Sequence, residues 1–147
     1  MSESSRGLRG VWAGLALCLM LCGGVACSGE RAPQIVVKGA TVQVSDAIKG
    51  SASSFMFVIN DGRGNDRLLA CVIKEYPSVY VELHDIIGGK MTMVKEISIP
   101  ARETTALKRG GLHIMFTGFP EEHSEKVTLI LTFERSGPIE VRATVLS

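Results

Sequence analysis

The sequence predicts an all-β domain, an antiparallel β-sandwich, and three observations lead to this fold class. Apolar and β-branched residues come in short runs of the length of strands. No convincing long helical period appears. Turn-forming stretches separate the runs, and they are 61–66, Gly88-Gly89, Gly110-Gly111 and 136–138. Short strands at regular intervals, punctuated by turns, are typical of an antiparallel sandwich.

The predicted strands, in chain order, are 35–44, 55–59, 68–73, 79–83, 91–99, 105–107, 112–116, 127–133 and 139–145. The first three are rich in Val, Ile, Leu and Phe. The next four are shorter or alternate apolar with polar residues, and glycine turns interrupt them. The last two are again strongly apolar, with clear alternation in 139–145. The whole set is large enough for one domain with a real core and too small for two.

Two of these strands place a histidine opposite the predicted core face. Alternate side chains of a strand point to the same side. In the run 112–116 the first, third and fifth residues are apolar and form the core face, so His113 and Met115 point to the other side. By the same alternation His84, directly after 79–83, points away from the core face of its strand. Both histidines are therefore expected on non-core faces.

Met91 and Met93 lie between the two histidines and again share one side of a strand. One of them can complete a cluster of imidazoles and thioethers with His84, His113 and Met115. These donors are neutral and soft, and they suit Cu(I), whereas structural zinc draws on thiolates or several imidazoles, and calcium or magnesium requires oxygens. Thioethers also resist cross-linking in an oxidising compartment. The sequence therefore predicts a Cu(I) site.

Several stretches carry a resemblance to a known family. They are Val81-Glu-Leu-His84, Gly88-Gly-Lys-Met91-Thr-Met93, Leu107-Lys-Arg-Gly-Gly-Leu-His113-Ile-Met115 and Leu129-Ile-Leu-Thr-Phe-Glu134. With them the mature chain resembles the periplasmic copper chaperones called PCu(A)C. The resemblance implies a cupredoxin-like sandwich that carries Cu(I) to another exported protein. The implied recipient is the binuclear copper centre of a terminal oxidase, on its copper subunit or through an assembly factor.

The resemblance also implies the ligand set His84, Met93, His113 and Met115. Both intervals are two residues shorter here than in the family pattern, since eight residues separate His84 from Met93 and nineteen separate Met93 from His113. The shortened intervals fall where hairpin turns absorb differences in length. Met91 therefore remains the alternative to Met93 as the second ligand.

The N-terminus has the layout of a secretory signal. Arg6 and Arg9 form a basic start, 11–25 is apolar, and small residues precede a polar chain. The apolar run is too short to be a good membrane-spanning helix. The end of this segment, Gly24-Val-Ala-Cys27-Ser, looks like a bacterial lipoprotein processing site with Cys27 as the lipidated residue.

These features predict three segments: a signal peptide over 1–27, a short tether over 28–33 and the copper-binding domain over 34–147. The protein is expected in the periplasm and attached to a membrane only through the lipid on Cys27. The outer membrane is favoured because Ser28 follows the cysteine in place of an acidic residue. The alternative is ordinary cleavage after Ala26, which releases a soluble periplasmic carrier.

Other function classes find little support in the sequence. The chain has 16 Lys and Arg against 15 Asp and Glu, and the leader contains two of the arginines and one glutamate, so the mature portion is formally neutral. Neutral charge and few aromatic residues argue against nucleic-acid binding. No nucleophile elbow, zinc-protease motif or phosphate-binding loop is present. The protein is therefore predicted not to be an enzyme.

The remaining chemistry-bearing residues receive structural interpretations. Cys71 lies in an apolar run and is expected to be a buried, inert thiol. A blue-copper electron carrier needs a cysteine beside the histidines, and none lies between His84 and Met115. Glu82 is expected as a hydrogen-bond partner of a ligand, and His123 as a surface residue. The alternative function is an exported binding or structural lipoprotein without a metal role.

Overall fold

The computed structural model describes residues 31–147, and this part of the chain contains ten β-strands and no helix. The strands are β1 (Ile35–Val44), β2 (Ser51–Asn60), β3 (Asp66–Ile73), β4 (Tyr80–Ile87), β5 (Lys90–Val94), β6 (Ile97–Ile99), β7 (Thr104–Leu107), β8 (His113–Thr117), β9 (Lys126–Phe133) and β10 (Gly137–Leu146). Accordingly, no helix able to cross a bilayer occurs within 31–147. The predicted signal peptide and Cys27 lie outside the described residues.

The strands form one continuous sheet with the order β5-β4-β8-β2-β1-β10-β9-β3-β6, and β7 pairs with β2 off this path. The sheet folds over on itself, so that β3 lies beside β4 and the two halves enclose a single core. Every pairing is antiparallel except that of β1 with β10, which is parallel. The predicted antiparallel sandwich therefore has one parallel junction, where the first and last strands meet side by side.

The core is built from the alternate faces that the sequence pattern indicates. Ile114 and Phe116 of β8 are fully buried, and Leu83 of β4 packs in the same cluster. Leu112 and Val81, expected on the same faces, are partly buried and pack against the edge of the core. A strand with one face in the core has its register strongly specified, because a slip by one residue exposes every apolar side chain.

The predicted strand over 91–99 is two strands in the structure. β5 pairs with β4, whereas β6 pairs with β3 at the other end of the sheet path. The chain crosses between these two partners at residues 95 and 96. Burial follows the change of partner, since Ile97 and Ile99 are buried and most of β5 is exposed. Alternation alone could not reveal this break because the apolar residues on either side of it continue the pattern.

β2 begins earlier than predicted, at Ser51, and its first residues pair with β8. The segment Ser51 to Ser54 has low strand propensity, and its pairing partners on both sides hold it extended. This extension places a row of serines next to β8.

The described end of the predicted tether lies against the domain. The backbone N–H groups of Arg63 and Gly64 donate to Ala32 O at 3.1 and 3.2 Å, and Arg135 donates to Arg31 O at 3.0 Å. A Cβ on Gly64 would lie 1.7 Å from Arg31 O, so the close approach requires glycine at this position. Residues 31–33 are therefore held in place by hydrogen bonds.

Candidate metal centre

The sheet brings the predicted ligands together through strand register. β8, β4 and β5 are neighbours, and His84 lies directly opposite His113 on one side and Met93 on the other. Residues directly opposite in an antiparallel pair point to the same face with Cβ atoms about 4.5 to 5.5 Å apart. His113, His84 and Met93 thus form one row across three strands. Met115 lies in the next row, opposite Glu82.

The β4–β5 hairpin selects Met93 as the neighbour of His84. Its two-residue turn consists of Gly88 and Gly89 with φ of 59° and 77°. Positive φ at both central residues is the requirement of the type I′ turn that matches the twist of a hairpin. The turn sets Ile87 opposite Lys90 and hence His84 opposite Met93.

Met91, the alternative ligand, lies opposite Ile86, one same-face position farther along the hairpin. Met91 and Met93 are 54% and 62% exposed on the edge strand β5. Exposure therefore does not distinguish the two thioethers, whereas register favours Met93. The two-residue turn also shows how the short interval between His84 and Met93 is accommodated.

His113 lies off the core face of its strand, as predicted, but it is not exposed to solvent there. Its side chain points away from the core strand face, yet only 5% of the residue is exposed. Phe55 of β2 covers it, with ring centroids 6.4 Å apart, and the Arg109 guanidinium lies 5.9 Å above the Phe55 ring. His113 therefore lies between the Phe55 ring and the turn before β8, where its Nδ1 is 2.8 Å from Gly111 O.

Each imidazole has one nitrogen with a hydrogen-bond partner. His113 Nδ1 lies 2.8 Å from Gly111 O, a carbonyl that can only accept, so a neutral His113 carries its proton on Nδ1 and a lone pair on Nε2. His84 Nε2 lies 3.1 Å from Glu82 Oε2, while His84 Nδ1 is buried without a hydrogen-bond partner. The two rings lie 5.6 Å apart between centroids.

Met115 is held by a serine row that the sequence analysis missed. Ser53 Oγ and Ser51 Oγ lie 3.6 and 3.9 Å from Met115 Sδ, and both serines belong to the early part of β2. The Ser-x-Ser alternation in the sequence puts both hydroxyls on one face, but their pairing with β8 is not visible locally. Phe55 and Arg109 were missed for the same reason.

The donor types available restrict the metal that this site can hold. Among residues 31–147 no group of three or more His, Cys, Asp or Glu side chains is arranged to hold a metal ion. The further donors in the same or adjoining rows as His84 and His113 are thioethers, which favour soft ions. The residues fit Cu(I): two imidazole nitrogens have free lone pairs, and three thioethers lie in the same or adjoining rows.

The other predicted roles are settled by burial. Cys71 is 4% exposed, and burial raises the pKa of its thiol to about 12, so it is the buried, inert thiol expected. His123 is half-buried against Phe119 at 5.4 Å between ring centroids, so it is less exposed than predicted. Glu82 does contact His84, as predicted from their shared strand face.

Comparison with known proteins places the chain in a family. The sequence profile described as "Putative lipoprotein LpqE-like" matches residues 35–145. The chain belongs to the LpqE-like family. No curated protein sequence matches it.

Solved structures show the fold of this LpqE-like protein. The copper-bound PCuAC domain from PmoF2 matches with a TM-score of 0.65 at 19% identity, over 79% of this chain and 96% of that one. The apo PCuAC domain from PmoF1 gives 0.64 at 17%, over 80% and 97%. CuI-DR1885 from Deinococcus radiodurans gives 0.62 at 24%, over 81% and 82%. The predicted cupredoxin-like sandwich and the resemblance to PCu(A)C domains are confirmed at the level of fold.

Proposed function

We propose that this LpqE-like protein is an exported Cu(I) metallochaperone, which holds one Cu(I) with His84, Met93, His113 and Met115. The observation that carries the proposal is the row of His113, His84 and Met93 across three neighbouring strands. Each histidine in this row retains a ring nitrogen without a hydrogen bond. Copper-bound PmoF2 and Cu(I)-bound DR1885 share the fold, which supports copper as the cargo.

The donor set suits a carrier better than an electron-transfer centre. Electron carriers of the blue-copper type use a cysteine thiolate, and Cys71 is buried in the core with a raised pKa. Imidazoles and thioethers are uncharged and hold Cu(I) less tightly than thiolates. Met93 lies on an exposed edge strand, so an incoming ligand of a recipient can replace it first. We propose another exported protein as the recipient, with the binuclear copper centre of a terminal oxidase or its assembly factor as the candidate.

We also propose that a lipid on Cys27 anchors the protein to the outer membrane, facing the periplasm; the family description as a putative lipoprotein supports the lipid anchor. Acyl chains contribute about 0.8 kcal/mol per buried methylene, so several of them hold a small domain firmly. Cys27→Ser should prevent lipid attachment, because the thioether link to the lipid requires the sulfur, and metabolic labelling with a radioactive fatty acid measures this loss. A wild-type protein found only in the soluble fraction would instead support cleavage after Ala26.

Anaerobic titration with Cu(I) against a chromophoric chelator tests the copper proposal. The wild-type protein should bind one Cu(I) per chain and retain it in excess Zn(II). Met93→Ala should weaken binding strongly, and Met91→Ala is the matched control because it lies on the same strand and face with similar exposure. Preferred binding of Zn(II), or equal losses in the two variants, would contradict the assignment.

A further inference from the structure

We propose that Glu82 is a positioning residue of the copper site, which fixes the His84 tautomer so that Nδ1, and not Nε2, is the ligand atom. The inference rests on the proposed function and adds a residue to it. It starts from the unequal surroundings of the two ring nitrogens of His84. Nε2 lies 3.1 Å from Glu82 Oε2, whereas Nδ1 is buried and has no hydrogen-bond partner.

The tautomer follows from the chemistry of the partner. An ionised carboxylate can only accept hydrogen bonds, so a neutral His84 bonded to Glu82 carries its proton on Nε2. Its lone pair is then on Nδ1. A buried lone pair without a donor is unfavourable unless something in the site uses it, and a metal ion does. Partners of this kind commonly orient a metal-ligating histidine and raise its basicity.

Glu82 is dedicated to this contact. Within the described part of the chain, its side chain makes no hydrogen bond or ion pair other than the one with His84. The side chains of His84 and Glu82 are 12% and 26% exposed, so their interaction is only weakly screened by water. The other acid beside His84 behaves differently, because Asp85 accepts from the Ile86 backbone N–H at 2.7 Å and points to the opposite face.

Glu82 also brings a negative charge next to the site. It lies opposite Met115 in register, so its carboxylate belongs to the same face as the ligands. Cu(I) with two imidazoles and two thioethers keeps its single positive charge, since all four ligands are neutral. The carboxylate balances that charge at short range. His113 is oriented by an uncharged backbone carbonyl, so of the two histidines only His84 has a charged hydrogen-bond partner among the described residues.

The experiment combines nitrogen NMR of the metal-free protein with Cu(I) competition titrations. In the wild-type apoprotein, long-range proton–nitrogen spectra at alkaline pH should show His84 protonated at Nε2. Glu82→Ala should lose this preference and bind Cu(I) about 10- to 100-fold more weakly. Glu82→Gln keeps an acceptor oxygen without the charge, so it should retain the tautomer and lose less affinity. Asp85→Asn is the matched control and should match the wild type in both measurements.

Thermal unfolding of each variant identifies any loss of folding, and Glu82→Gln keeps the test valid if the alanine variant is unstable. Protonation of wild-type His84 at Nδ1 would overturn the proposal. Wild-type affinity in Glu82→Ala would overturn it as well. Absence of Cu(I) binding by the wild type would refute the proposed function instead, and the tautomer measurement on the apoprotein is independent of that result.

Discussion

His113 combines a proposed ligand role with a structural one, and replacing it with alanine should distinguish this residue from the other proposed ligands. The side chain is 5% exposed and donates from Nδ1 to Gly111 O at 2.8 Å. Losing one intramolecular hydrogen bond costs about 1 kcal/mol, and deleting a buried ring leaves a cavity beneath Phe55 that adds about 1 to 2 kcal/mol. We expect His113→Ala to be destabilised by about 2 to 3 kcal/mol.

Met93→Ala provides the comparison, because 62% of Met93 is exposed and its loss should change stability by less than about 0.5 kcal/mol. Thermal unfolding with and without Cu(I) under reducing conditions measures both the stability of each variant and its response to Cu(I). For a domain of this size the destabilisation of His113→Ala corresponds to a fall in Tm on the order of 10 °C. At one fixed Cu(I) concentration the Tm of the wild type should rise clearly and that of each variant much less, because the stabilisation by a ligand grows with the ratio of its concentration to the Kd.

Two results would refute this reasoning. Wild-type stability of His113→Ala would show that the burial of the His113 ring and its hydrogen bond to Gly111 O contribute nothing to the fold. An undiminished Cu(I)-induced increase in Tm in either variant would remove that residue from the ligand set. The comparison also tests the difference in burial between the two residues, because two solvent-exposed side chains would give equally stable variants.

Three further predictions concern the framework around the site. Asp66 is 1% exposed, and burial alone would raise its pKa. Hydrogen bonds from Ser136 Oγ and from backbone N–H groups outweigh burial and lower the pKa below 3.8, so the stabilising contribution of Asp66 should be lost as the pH falls below that value in acid-unfolding experiments. Asp66→Ala should cost about 3 to 5 kcal/mol near neutral pH, because each donor left without an acceptor costs about 1 kcal/mol or more. Burial raises the pKa of the Cys71 thiol from 9.0 to about 12, so its stabilising contribution should decline as the pH rises above 9.0. The thiol should resist alkylation in the folded protein at about pH 8 and react in urea. Rapid labelling without denaturant would contradict its burial. Gly89→Ala places a side chain at φ 77°, so it should lower the free energy of unfolding in urea by about 1 kcal/mol. It should also weaken Cu(I) binding by disturbing the register of Met93. Unchanged affinity would show that the turn does not position the site.

Strand faces were predictable because side-chain direction along a strand is a local property. The alternation in 112–116 correctly put Ile114 and Phe116 in the core, and the same period put Glu82 beside His84. Which strands pair with each other was not predictable in this way. The division of 91–99 into β5 and β6 and the parallel contact of β1 with β10 depend on which distant segment lies alongside, and neither leaves a periodic signal in the sequence.

The sequence by itself determined the donor types of the candidate site: imidazoles and thioethers on alternating positions of short strands, with no cysteine between His84 and Met115. Tertiary structure alone decided that His113, His84 and Met93 share one row. It also decided that His113 is buried beside Phe55 and that His84 Nδ1 is left without a hydrogen-bond partner. The physical reason is that side-chain type and direction follow from the local backbone, whereas proximity between strands follows from hydrogen-bonded pairing across the chain, which the core as a whole selects.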